Sequence, residues 1–148
     1  VAPALEQKEW IGAAKPFALK GRPQVLFFWA HWCADCKQQG PVLARLQKEF
    51  KNLAVVMPTQ RYGYAQGGED APPAAETKYI GQVREQFYPE LLAAPAPLSE
   101  ENFKLFGCST TPTVVLVDAK GIVRLYHPGK MTYEELLPKI KALVGSSS

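Results

Sequence analysis

The chain has 148 residues, of which 47% are hydrophobic, and a formal net charge of +3. This length and composition predict a single domain over residues 1–148 with an ordinary hydrophobic core. The 17 basic side chains are scattered rather than clustered, which argues against a nucleic-acid partner. No apolar run approaches the ~18 residues that a membrane helix needs, so we expect no membrane span in this chain.

Helical and strand patterns alternate in the first part of the chain. Residues 4–15 carry apolar residues among charged ones and predict a weak amphipathic helix, and residues 24–29 are typical of a buried strand. Apolar residues then recur at helical spacing over residues 34–50. A second short apolar strand is expected at residues 53–57, where a proline ends it.

The middle of the chain is less regular. Residues 60–75 are rich in Gly, Pro and small residues and predict a loop, and residues 77–88 are compatible with a helix. Ser99 is a good N-cap for a short helix that ends near Gly107. The aromatic side chains of residues 60–98 are either a partner surface or packing over the sheet.

A hairpin and a helix complete the pattern. The residues at 113–117 and 122–127 predict two strands joined by a tight turn, and Thr132 with Glu135 fits a capping box for a C-terminal helix. Residues 145–148 are expected to form a flexible tail. The element order predicts an α/β fold whose mixed central sheet is flanked by helices on both faces.

Cys33 and Cys36 follow the first strand and lie where the next helix begins. Unpaired N–H groups and the helix dipole at that end favour an anion, so they favour the reactive thiolate of Cys33. Cys36 lies about one turn further along, within the distance range of a disulfide. The pair can therefore interconvert between dithiol and disulfide without rebuilding the backbone.

Two other interpretations of the cysteine pair remain open. An inert structural disulfide is one, and half of a metal site is the other. The metal site is disfavoured because the chain offers only Cys108, His31 and His127 as further soft ligands, with no second Cys-x-x-Cys. Cys108 is interpreted first as a small buried hydrophobe and second as a third redox thiol.

Residues 25–37, VLFFWAHWCADCK, closely resemble the active-site strand and helix of the thioredoxin family, including Trp32 before the first cysteine. Pro41 matches the family's helix proline, and residues 111–113 match the loop whose proline is cis in the family. Gly129 also falls where the family has a glycine. Residues 60–98 interrupt the minimal fold, as in the exported resA/TlpA-like type of this family; we call them the central insertion.

The resemblance implies a role for each matching residue. Cys33 attacks a substrate disulfide, and Cys36 resolves the mixed disulfide. Trp32 packs beside the site. Thr111 and a cis Pro112 line the groove in which an extended partner chain docks. The cis isomer itself is implied by the resemblance alone, because X-Pro bonds are mostly trans.

Two positions depart from the family pattern. Phe27 stands where the family often has a buried carboxylate, so the usual proton acceptor for Cys36 is missing. Asp35 stands between the cysteines, where its negative charge disfavours a nearby thiolate by about as much as the helix terminus favours it. The positive charge of Lys37, and that of His31 if it is protonated, would favour the thiolate again. The simpler interpretation of His31 is a polar residue on an exposed loop.

These features predict a protein thiol:disulfide oxidoreductase that acts on protein disulfides as a reductant, with an upstream thiol donor and no cofactor or metal. The alternatives are a thioredoxin-like binding or chaperone module with a structural disulfide, and a thiol peroxidase. We expect a monomer. Because the chain begins at Val1 without an initiator Met, a periplasmic or other extracytoplasmic location is favoured over the cytoplasm.

Overall fold

A computed structural model of the chain describes residues 1–145 and places four strands in one mixed sheet. The strands are β1 (Gln24–Phe28), β2 (Ala54–Val56), β3 (Thr113–Val117) and β4 (Val123–Pro128), in the order β2-β1-β3-β4. β1 pairs with β2 in parallel and with β3 antiparallel, and β3 and β4 form an antiparallel hairpin. All four strands lie where the sequence predicts them.

Four α-helices surround the sheet: α1 (Ala34–Glu49), α2 (Pro73–Phe87), α3 (Glu100–Leu105) and α4 (Tyr133–Gly145). Short 3-10 turns at Gln66–Gly68 and Pro89–Leu91 flank α2 within the central insertion. α2 begins earlier than the expected residue 77, because proline is well tolerated in the first turn of a helix.

Both faces of the sheet are buried at its two central strands, β1 and β3, as expected from the element order, whereas the edge strand β4 is partly exposed. Alternate residues of β1 point to opposite faces. Val25 and Phe27 join a core cluster with α1, α2 and α4, whereas Leu26 and Phe28 join a second cluster with α3 and the N-terminal segment. β1, which leads into residues 31–36 (the redox segment), is therefore supported from both sides of the sheet.

The helix predicted at residues 4–15 is wrong. The Ile11 N–H donates to the Ala96 carbonyl at 2.8 Å, and the Leu98 N–H donates to the Glu9 carbonyl at 2.9 Å. This segment thus runs beside the end of the central insertion in irregular, partly extended form. A short helix of weak pattern is marginal in water, and bonds to a neighbouring segment satisfy the backbone instead.

The caps that the sequence predicts are present. Ser99 Oγ accepts from the Glu101 N–H at the start of α3. Thr132 Oγ1 accepts from the Glu135 N–H at 3.1 Å, and Glu135 Oε1 accepts from the Thr132 N–H at 2.9 Å.

Of the tail predicted at residues 145–148, Gly145 ends α4 and the other three residues lie outside the described part of the chain. Among the helices of residues 1–145, none combines the length and the apolar character needed to cross a membrane.

Candidate active site

Cys33 and Cys36 lie at the junction of β1 and α1. Cys33 is the N-cap of α1, and its Sγ accepts a hydrogen bond from the Cys36 backbone N–H at 3.1 Å. The two residues are joined by a disulfide, with their Cα atoms 5.3 Å apart. Cys33 is 4% exposed and Cys36 is fully buried. Cys33 therefore carries the sulfur that is nearer to solvent, at a helix end whose N–H groups favour a thiolate.

The loop before β3 has the backbone geometry that the resemblance implies. The Thr111–Pro112 peptide bond is cis, and the Pro112 carbonyl accepts a hydrogen bond from the Gly129 N–H at 2.7 Å. Thr111 and Trp32 line one small cleft together with Gln60, Tyr62, Phe103 and residues 108–110. The structure thus brings two of the predicted groove residues together from distant parts of the chain.

Trp32 is the most exposed aromatic side chain of the described site. It is 49% exposed, and its ring packs edge-on against Tyr62 with the ring centroids 5.4 Å apart. Tyr62 belongs to the central insertion, so one wall of the cleft comes from outside the minimal fold.

The charged residues around the pair have partners that the sequence did not reveal. Asp35 Oδ1 lies 3.7 Å from Lys130 Nζ, and the same amine donates to Gln38. Lys37 Nζ lies over the Phe87 ring, 4.0 Å from its centroid. Because Lys130 is paired with Asp35, its charge offsets part of the effect of Asp35 on a Cys33 thiolate. The one sequence feature that could have indicated a role for Lys130 is its position directly after Gly129, which matches the family's glycine near the cis-proline loop.

His31 is buried, so the interpretation of a polar residue on an exposed loop is wrong. Only 1% of His31 is exposed, and its Nε2 lies 3.2 Å from Glu76 Oε2. Burial lowers the pKa of His31 below its usual value, and the hydrogen bond to Glu76 opposes this effect. Glu76, on α2, is a site residue that the sequence did not reveal, because nothing local links it to a loop 45 residues away.

The position of the family's buried carboxylate is filled by an apolar ring. Phe27 is fully buried and packs edge-on against Tyr88, with the ring centroids 5.8 Å apart. Glu76 is instead the buried carboxylate that contacts the redox segment, through His31.

Cys108 is a free thiol that is partly, not fully, buried. It lines the same cleft as Trp32, and Tyr126 Oη lies 3.7 Å from its sulfur. Burial raises the pKa of the Cys108 thiol, which disfavours the reactive thiolate. Within residues 1–145, no group of three or more His, Cys, Asp or Glu side chains is arranged to hold a metal ion.

Known proteins resemble this chain in sequence and in fold. A family model described as a thioredoxin-like domain matches residues 12–143. The thioredoxin-like protein YneN of Bacillus subtilis is 29% identical over 122 residues, which are 82% of this chain and 65% of that protein. The thiol:disulfide interchange protein DsbE of Xylella fastidiosa is also 29% identical, over 82% of this chain and 55% of its own length.

A solved structure from Chlorobium tepidum, assigned as a thiol:disulfide interchange protein DsbE, aligns with a TM-score of 0.64 and 27% identity. The alignment covers 86% of this chain and 83% of that chain. The present chain spans less than two thirds of the length of the two curated relatives, 65% and 55%.

Proposed function

The chain belongs to the thioredoxin-like domain family, and from that premise we propose that it is a thiol:disulfide oxidoreductase acting on protein disulfides. One observation carries the proposal. Cys33 caps α1 with its sulfur accepting the Cys36 N–H, so a thiolate formed there meets a preformed donor. The name of the curated DsbE relative, a thiol:disulfide interchange protein, agrees with this reaction class.

The reaction conserves atoms and electrons within the two partners. The Cys33 thiolate attacks one sulfur of the substrate disulfide, and the other substrate sulfur leaves and takes a proton from water. Cys36 then loses its proton and attacks Cys33 Sγ, which forms the Cys33–Cys36 disulfide and releases the second substrate thiol. Two electrons and two protons pass to the substrate, and no cofactor takes part.

We assign the chain the direction of a reductant. Strong oxidants of this kind depend on a very acidic thiol. Here Asp35 lies beside the first cysteine and is only partly compensated by the exposed Lys130. An upstream thiol donor must then return the two electrons. Equilibration with glutathione tests the direction: a potential near the ~−270 mV of thioredoxin supports it, and one near the ~−120 mV of DsbA contradicts it.

The docking surface in this proposal is the cleft between Trp32 and Thr111, which would receive an extended segment of the substrate protein. Trp32, Thr111 and Pro112 contact that segment, and Asp35 and Lys37 adjust the charge beside the sulfur. We further propose a monomer in an extracytoplasmic compartment, with the cytoplasm as the alternative; fractionation of cells that express the full natural protein tests the location.

A binding module with a structural disulfide is the second candidate. The burial of both cysteines, which are 4% and 0% exposed, favours it, because a substrate must approach Cys33 closely to react. Insulin reduction in the presence of dithiothreitol separates the two functions. An oxidoreductase accelerates the precipitation of insulin chains, whereas a binding module leaves the rate at that of dithiothreitol alone.

Cysteine variants assign the activity to residues. Cys33→Ser abolishes it, and Cys36→Ser halts the exchange at a mixed disulfide that mass spectrometry detects on Cys33. Cys108→Ser is the matched control: it removes the third thiol by a one-atom change in the cleft lining and leaves the exchange at Cys33 and Cys36 in place. An active Cys33→Ser protein, or an inactive Cys108→Ser protein, contradicts the assignment.

A further inference from the structure

Glu76 is a buried carboxylate of α2 whose hydrogen-bond donors come from two different loops. Its Oε2 lies 3.2 Å from His31 Nε2 and accepts the Tyr62 N–H at 2.5 Å, and its Oε1 accepts the Gly63 N–H at 2.9 Å. Only 1% of Glu76 is exposed. A carboxylate is buried at this depth only when donors compensate the lost water, so these three contacts hold it in place.

The surroundings of His31 come from the central insertion. The rings of Tyr62, Tyr64 and Tyr79 meet the imidazole edge-on, with centroids 6.0, 5.5 and 5.2 Å away. The imidazole also has a hydrogen bond to the Tyr64 backbone. Since His31 lies two residues before Cys33, the insertion holds the redox segment by a side chain next to the reactive sulfur.

The same carboxylate also supports the exposed face of the site. Tyr62, whose N–H donates to Glu76, carries the ring against which Trp32 packs at 5.4 Å. Glu76 therefore contacts His31, which lies before Cys33. It also contacts the Tyr62 backbone, and the Tyr62 ring in turn packs against Trp32. Loss of its charge would loosen both connections at once.

We propose that Glu76 and His31 are a positioning pair through which the central insertion holds Cys33 in reach of Cys36 and so favours the disulfide form. The inference rests on the proposed function, because it concerns the same redox pair. The physical reason is preorganisation. A segment held in one place keeps the two sulfurs at a high effective concentration, and a looser segment lowers it and shifts the equilibrium toward the dithiol.

The test is the equilibrium of the Cys33/Cys36 pair in graded mixtures of reduced and oxidised glutathione, read by alkylation of free thiols and mass spectrometry. We expect Glu76→Gln and His31→Ala each to shift this equilibrium toward the dithiol by three- to tenfold. The double variant shifts it by no more than the larger single change, because both residues act through one contact. His31→Gln, which retains a donor at the position of Nε2, stays within twofold of the wild type.

Glu85→Gln is the matched control, since Glu85 is an exposed carboxylate on the same helix. It stays within twofold of the wild type. The proposal is overturned if the redox equilibria of Glu76→Gln and His31→Ala also stay within twofold of the wild type. It is overturned as well if the shift in the double variant equals the product of the two single shifts. If Glu76→Gln does not fold, the comparison of His31→Ala with His31→Gln decides alone, because Glu76 then keeps its two backbone donors.

A merely structural role is excluded by unfolding the oxidised and the reduced forms separately. A structural defect lowers the stability of both forms equally and leaves the redox equilibrium unchanged, whereas a positioning pair stabilises the oxidised form more. If the wild-type pair does not exchange reversibly with glutathione at all, the proposed function fails and the inference with it. Reversible exchange with unchanged variants overturns the inference alone.

Discussion

Replacing Gly40 by alanine tests the packing beneath the redox helix. Gly40 lies one turn beyond Cys36 on α1, so both face the same side. A Cβ at Gly40 would lie 2.5 Å from Tyr88 Cδ1 and 2.7 Å from Cε1. Tyr88 is 2% exposed, and its ring already packs against Phe27 and Trp29. The ring therefore cannot yield without displacing other core residues.

The expected magnitude follows from two opposing effects. Alanine is better than glycine inside a helix by ~1 kcal/mol, which favours the variant. Overpacking a dense core costs ~1–3 kcal/mol, and the 2.5 Å approach at Gly40 is well inside ordinary contact distance. The difference is about 0–2 kcal/mol, and because this approach is so close we expect the upper half of that range, a net loss of about 1–2 kcal/mol in the free energy of unfolding. Gly81→Ala on α2 is the matched control; with nothing within 4 Å of the new Cβ, it gains ~0.5–1 kcal/mol.

Urea unfolding of the oxidised forms, followed by circular dichroism, measures both values on one scale. The free energy of unfolding must fall in Gly40→Ala and rise in Gly81→Ala. If Gly40→Ala stabilises the protein as much as Gly81→Ala does, then the Tyr88 ring is free to move. The close packing of α1 against the central insertion is then not a constraint on the redox helix.

Three further predictions concern charge and capping. Asp35→Asn raises the alkylation rate of Cys33 below neutral pH about two- to threefold, because a charge ~7 Å away in water is worth ~0.6 kcal/mol; an unchanged rate contradicts this. Hydrogen bonds, first that of the Ile122 N–H, lower the pKa of Asp118. The Asp118 carboxylate therefore stabilises the fold above its unfolded pKa of about 4, and this stabilisation is lost as the pH falls through the folded pKa. We expect the difference in Tm between the wild type and Asp118→Asn to become smaller in acid. Thr132→Ala removes the cap of α4 and costs ~1 kcal/mol in thermal unfolding, whereas a loss near zero indicates that tertiary packing alone holds this helix.

Local signals were sufficient for most of the fold. β1 and β3 have apolar or β-branched runs bounded by turn residues, β4 follows β3 after a tight turn, and α1 and α4 have a repeated apolar stripe. In each case the short-range pattern and the tertiary packing favour the same state. Residues 4–15 show the opposite case, because their weak helical pattern competes with backbone bonds to residues 96 and 98 that no local rule contains.

The site was predictable where the chain itself brings residues together. Cys33 and Cys36 are three residues apart, and a helix start alone places them within reach. His31 was misjudged because its burial depends on Glu76 and on three tyrosines of the central insertion, far along the chain. Lys130 was missed for the same reason: its contact with Asp35 exists only once β4 lies beside the cis-proline loop.

The central insertion builds part of the candidate active site. Its contacts with the redox segment and α1 include Glu76 with His31, Tyr62 with Trp32, Phe87 with Lys37, and Tyr88 with the backbone at Gly40. These contacts involve residues on both sides of the two cysteines in the sequence. Movement of the insertion would therefore displace residues along the whole redox segment. Under the proposed function, a substrate protein that docks in the cleft would touch Tyr62 as well as Trp32, so the insertion would partly set its fit. Differences in the insertion between relatives are therefore expected to change which protein disulfides react, while the chemistry at Cys33 stays the same.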